Sequence, residues 1–246
     1  MNTDHTMPAK DAVGPRPSAR LPRRIGLVDL DASSQPSTAG LLLEDLTEAL
    51  LAYDRVSNLP GAETDPPQIT RIGAGASSIA GVDAFIIGGR LDGDHARRLE
   101  RLLPHGGESL AGTRVYAVAV TEAASAAPLE PSLDDLAAWC QEHGLIWSGG
   151  VIVQGEAFTR AVQGTARMGW LRRRCSEAID RLIGAIRGGM SVPEAAVAYG
   201  GPRRKGRRAS GMRPDAIHVA PPLPRFLLRP LSRLLLQRGE HRHQGL

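Results

Sequence analysis

Thr113-Arg114-Val115-Tyr116-Ala117-Val118-Ala119-Val120 carries no charge after Arg114 and no alternation of apolar with polar positions. A strand with one wet face alternates, whereas a strand of a parallel sheet is covered by helices on both sides and reads as an unbroken apolar run. The segment is therefore an interior strand of a parallel sheet. Outward from it, Ile25–Leu30, Gln68–Ile72, Val82–Ile87 (stopped by Gly88 and Gly89) and Ile146–Val153 read as four more strands. Between them lie helical periods. Ala39, Leu42, Leu43, Leu46, Ala49 and Leu50 share one helical face, as do Leu99, Leu102 and Leu103 within Asp92–Leu103. Pro131–His143 reads as a helix with proline in its first turn and Gly144 at its end. Cys175, Ala178, Ile179, Leu182, Ile183 and Ile186 fall at i, i+3, i+4 spacing in a longer one. Strands alternating with helices predict an α/β fold with three layers, a doubly wound, five-stranded parallel sheet between two sets of helices.

The chain has 246 residues, 42% of them hydrophobic and 23% charged, which suffices for one ordinary core. Residues 1–23 hold four prolines and scattered charges without periodicity, and are expected to form a disordered leader. Residues 24–188 are the predicted domain. Residues 189–246 read as a basic C-terminal extension, with a short helical piece near Val192–Ala198. Charge is divided unevenly: residues 1–160 carry 13 basic and 21 acidic side chains, and residues 161–246 carry 17 and 5. Such a tail suits a protein partner or an anionic surface. Cys140 and Cys175 are too few for a disulfide framework, and no CxxC pair exists. There is no run of 18 apolar residues and no apolar leader, so no transmembrane segment is expected and the expected location is cytoplasmic.

Ligands of open parallel sheets bind beyond the carboxyl ends of the strands. The first such loop, Asp31-Ala32-Ser33-Ser34-Gln35-Pro36-Ser37-Thr38, joins a strand to a helix N-terminus, where hydroxyls and free N–H groups can cradle a phosphate. Ser37 or Thr38 can equally serve as a helix cap. Asp29 and Asp31 alternate at the end of the first strand, which reads as a polar strand end more readily than as a metal site.

The order of strand, Ser/Thr loop, helix and second strand, followed by Val82-Asp83-Ala84-Phe85-Ile86-Ile87-Gly88-Gly89, resembles the flavodoxin and NAD(P)H-dependent FMN reductase superfamily. The block Cys140–Gly150, the run Met168-Gly169-Trp170-Leu171-Arg172-Arg173 and the tail Pro224-Arg225-Phe226-Leu227 are similar to a bacterial subgroup of it. The resemblance implies a flavodoxin-like fold, FMN as cofactor and NAD(P)H as hydride donor. It implies phosphate contacts from Ser33, Ser34, Ser37 and Thr38, and ring contacts from the backbones of Gly88, Gly89, Arg90, Thr121 and Glu122. Flavin chemistry needs the protein to hold and tune the ring, so no catalytic acid or base is assigned. Two departures from the family pattern stand out: Pro36 removes an N–H donor where the family uses glycine, and the loops after the third and fourth strands lack an aromatic residue.

Two functions follow. One is an FMN-dependent, NAD(P)H-linked oxidoreductase or electron carrier; the other is a degenerate flavodoxin-like scaffold without flavin, acting through protein contacts. Arg90 is expected to face solvent or to pair with Asp92 or Asp94. The stretch Arg203-Arg204-Lys205-Gly206-Arg207-Arg208 lacks interleaved aromatics, which argues against nucleic acid. Pro224–Arg238 places leucines on one helical face and arginines on another, suiting a fold-back helix, a homodimer contact, a partner's groove or an anionic membrane. The histidines form no HxxxH or HExxH pair, so no metal site is predicted.

Overall fold

The structure, a computed structural model, describes residues 22–33, 36–57, 66–73, 81–91, 93–102, 110–123, 129–199, 214–224, 226–228 and 230. Within them lie six strands, β1 (Arg24–Asp29), β2 (Gln68–Ile72), β3 (Ala84–Gly89), β4 (Arg114–Thr121), β5 (Ile146–Gln154) and β6 (Ala216–Val219). Six α-helices accompany them: α1 (Thr38–Ser57), α2 (His95–Leu102), α3 (Glu130–Glu142), α4 (Glu156–Val162), α5 (Arg173–Arg187) and α6 (Val192–Ala198). The strands form one sheet in the order β2-β1-β3-β4-β5-β6, and every neighbouring pair is parallel.

β4 shows why its sequence lacks alternation. Tyr116, Val118 and Val120 enter a core shared with Leu42, Leu43 and Leu46 of α1 and Ile179, Leu182 and Ile183 of α5. Val115, Ala117 and Ala119 enter a second core with Leu99 of α2 and Leu133, Leu136 and Trp139 of α3. Both faces are dry, so both accept aliphatic side chains. Gly88 and Gly89, read from the sequence as a stop, are the last two residues of β3.

The prediction of five strands is corrected to six. β6 comes from the extension and is only four residues long, flanked by a basic stretch and by prolines, so it carries no strand pattern of its own. Long-range bonds place it. The Trp147 indole N–H donates to the Asp215 carboxylate at 2.8 Å, and the Gly150 N–H donates to the Asp215 carbonyl at 2.9 Å. β5 prepares this edge with an irregularity: Val115 pairs with Trp147 but Ala117 with Gly150, so β5 gains one residue there. Gly149 sits in that irregularity at φ +98°, and a Cβ on it would run into the Asp215 carbonyl and Val192.

α5 and α6, which precede β6, pack on the α1 face, whereas α2 and α3 pack on the other. The outward step to β6 is thus made over the opposite face from the steps to β4 and β5. Two devices hold α5 there. The Tyr116 hydroxyl donates to the Met190 carbonyl at 2.8 Å, just past the end of the helix. Asp45 of α1 receives Arg172 at 3.1 Å and Arg167 at 3.5 Å, and Arg167 also pairs with Asp180 of α5. Arg172 is buried and donates further to the carbonyls of Gln163 and Thr165. The Arg-rich block after Met168 therefore closes the α4–α5 turn onto α1.

No helix among the described residues is long and apolar enough to cross a membrane. Residues 1–21, Ser34, the basic stretch at 203–208 and most of the segment after Pro224 lie outside the described residues.

Two substitutions test these contacts. Gly149→Ala forces a side chain into positive φ against a backbone carbonyl, and is expected to lower unfolding free energy in urea by about 2 kcal/mol or more. Arg172→Ala leaves the half-buried Asp45 with Arg167 alone and the carbonyls of Gln163 and Thr165 without this donor, and is expected to cost about 2 kcal/mol in the same measurement.

Candidate functional site

The carboxyl ends of β1, β3, β4 and β5 form one rim, with the β1/β3 boundary at the point where the strand order reverses. At the end of β1, Ser37 caps α1: its hydroxyl oxygen accepts the Gly40 N–H at 2.7 Å. The same hydroxyl donates to the Asp29 carboxylate, at 2.9 Å and 3.0 Å from its two oxygens. The Asp31 N–H also donates to Asp29, at 3.0 Å. Burial raises the Asp29 pKa above its ordinary 3.8, against the opposing pull of these two donors. Thr38 is buried, and among the described residues its Oγ1 has no hydrogen-bond partner. Ser33 is exposed at the rim.

Asp31 binds the next strand. Its carboxylate accepts the Arg90 N–H at 2.7 Å and an Arg98 guanidinium N–H at 2.9 Å. Arg98 in turn donates to the carbonyls of Leu30 at 3.2 Å and Arg90 at 3.3 Å. The Arg90 side chain is exposed, as its sequence reading expects, and it forms an ion pair with Glu156 at the start of α4. Nε and Nη2 of Arg90 meet the two Glu156 oxygens at 2.7 Å and 2.8 Å, a two-point contact across the rim. Asp94 pairs with Arg97 at 3.8 Å, and Asp92 lies outside the described residues.

The remaining site candidates also serve the local frame. The Thr121 hydroxyl accepts the Ala123 N–H at 3.0 Å, and the Glu122 carboxylate accepts the Ala157 N–H of α4 at 2.9 Å. Arg160 of α4 donates to the Pro36 carbonyl at 3.1 Å, tying the first loop to the far side of the rim. A Cβ on Gly88 would meet Leu43 at 2.8 Å, and one on Gly89 would meet Leu30 at 2.9 Å. The two glycines thus let α1 and the end of β1 approach β3.

Asp29, Asp31, Glu122 and Glu156 stand against Arg90, Arg98 and Arg160 on this rim. Sequence reasoning missed the roles of Asp31, Arg98 and Glu156, whose contacts span 59 to 67 positions. The only signal for them was the clustering of acids and arginines next to strand ends. Cys140 and Cys175 belong to the packing elsewhere, and burial pushes both thiols up to about 12. No group of three His, Cys, Asp or Glu side chains suited to a metal occurs among the described residues. A cleft bordered by α4, α5 and β6 offers about 20 Å³, room for one water molecule.

No family model, no curated protein and no solved structure matches the chain.

The raised pKa of Asp29 sets a sign. The folded state holds this proton more tightly than the unfolded chain, so the contribution of Asp29 to stability declines as pH rises from 3.8 through the folded pKa. Asp29→Asn keeps an acceptor for Ser37 and removes the titration. Urea unfolding from about pH 3.5 to 6 is expected to show the variant gaining on the wild type as pH rises.

Proposed function

We propose that the chain is a flavodoxin-like scaffold that acts through protein contacts and holds no flavin. Support for the fold comes from the order β2-β1-β3-β4-β5, which is the flavodoxin-like order with β6 added, and from helices on both faces of the sheet. The function rests on one observation: two of the donors that the resemblance assigns to a cofactor already face carboxylates of the same chain. The Ser37 hydroxyl is turned to Asp29, and the Arg90 N–H to Asp31.

A flavin phosphate does not fit this residue set. An anion about 5 Å from one carboxylate is repelled by roughly 3 kcal/mol per pair of unit charges at an effective dielectric constant of about 20. Two such carboxylates border the first loop, and Pro36 withholds an N–H. The rim instead reads as a rigid polar surface, braced by Arg90–Glu156 and Arg160–Pro36. Free cysteines, one buried and one half-buried, agree with a reducing, cytoplasmic setting.

The reading as an FMN-dependent, NAD(P)H-linked oxidoreductase keeps one observation in its favour. Thr38 presents a buried hydroxyl without a partner among the described residues at the start of α1, beside the β1/β3 switch point. Under it, Ser33, Ser37 and Thr38 would hold phosphate, and Asp31 would release the Arg90 N–H to the ring.

Titration of the purified chain with FMN, followed by flavin fluorescence and visible absorbance, separates the two. The expected result is no saturable change up to high micromolar FMN. Stoichiometric quenching, weakened by combining Ser37→Ala with Thr38→Ala, would overturn the scaffold reading and call for an NAD(P)H oxidation assay.

A further inference from the structure

Four large apolar side chains stand exposed on two segments of the chain. Met168 and Trp170, in the α4–α5 turn, are 58% and 63% exposed; Phe226 and Leu227, beyond β6, are 76% and 41% exposed. Exposed apolar residues scattered singly are ordinary, but these belong to two segments that meet. Leu171 and Arg174 line the same small cleft as Pro221 and Pro222, and an Arg174 guanidinium N–H donates to the Pro221 carbonyl at 3.5 Å.

The turn that carries Trp170 is fixed. Arg172 and Arg173 both donate their N–H groups to the Gly169 carbonyl, at 3.0 Å and 2.8 Å, and the Arg172 side chain is anchored on Asp45. The indole is therefore held outward by a closed turn. Beside it the charge is cationic: Arg173 and Arg174 are exposed, with Glu177 next to Arg173 as the acidic counterpart. The surrounding sequence has the same sign, with 17 basic and 5 acidic residues over positions 161–246.

We propose that this corner docks on an anionic phospholipid surface, with Trp170 and Phe226 entering the headgroup region and the arginines facing lipid phosphates. Trp, Phe, Met and Leu flanked by arginine match the chemistry of a bilayer interface, which is apolar just beneath a layer of negative charge. A nucleic acid would use the arginines and leave Met168 and Leu227 in water. Docking at this corner does not depend on whether the β1/β3 rim holds flavin.

The test uses the full chain with vesicles of phosphatidylcholine alone or mixed with phosphatidylglycerol, read by cosedimentation and by quenching of Trp emission with brominated lipid. Binding to the anionic vesicles only is expected, with quenching that disappears in Trp170→Phe, since Trp139 is buried and Trp147 is bonded to Asp215. Trp170→Ser with Phe226→Ser is expected to weaken vesicle binding about tenfold or more while leaving the far-ultraviolet circular dichroism unchanged. Three results would each overturn the proposal: no sedimentation with anionic vesicles, sedimentation without quenching of Trp170, or tighter binding to duplex DNA at equal ionic strength. The vesicle assay reports on lipid and not on flavin, so its failure leaves the FMN titration to stand separately.

Discussion

Parallel pairing throughout the sheet is the constraint on which the rest depends. A parallel sheet is covered by helices, so its interior strands β1, β3, β4 and β5 are buried on both faces over most of their length, whereas β2 at the edge, with Gln68, Thr70 and Arg71 exposed, escapes that demand. β4 meets the demand most fully, with Val115 to Val120 all buried. The demand also explains α5. Without it, the face that receives Tyr116, Val118, Val151 and Val153 would be covered by α1 and the short α6 alone. The Asp45–Arg172 pair, the Arg167 contacts and the Tyr116 hydroxyl all serve to hold α5 over that half of the sheet.

The same geometry concentrates polar groups at the strand ends. Each strand delivers its last residues to one rim, and the loops there cannot all turn to solvent because α1 and α4 converge on them. Asp29 and Asp31 then act as acceptors for the first turn of α1, for the Arg90 backbone and for Arg98. Their carboxylates do for this chain's own donors what a bound anion does in many parallel-sheet proteins. The rim is thereby stiffened across β1, β3 and α4 by the chain alone.

How much of this was legible in the sequence follows from the range of each interaction. Val115–Val120, the helical spacing from Ala39 to Leu50, and the position of Ser37 one residue before a helix are local signals, and they locate strands, helices and the cap to within a few residues. Gly88 and Gly89 mislead because a glycine pair at the end of an apolar run usually ends a strand; here the strand continues so that Leu43 and Leu30 can come close. β6 is illegible for a different reason. Its four residues, AIHV, become a strand only because Asp215 meets Trp147 and Gly150, and a partner 68 positions away leaves no periodic trace. The Arg90–Glu156 pair likewise leaves no local trace, since Glu156 starts a helix on the far side of the rim, 66 positions away.

The attachment of β6 also bears on the order in which the chain is made. β5 is complete at Gln154, but the strand that covers its outer edge does not exist until Val219 has been added. During synthesis, and in any product cleaved ahead of Asp215, the backbone of Val151–Val153 is an open, aliphatic sheet edge. Such edges pair readily with other chains. A four-residue strand thus replaces the long aliphatic edge of β5 with a short one, which offers other chains far less backbone to pair with.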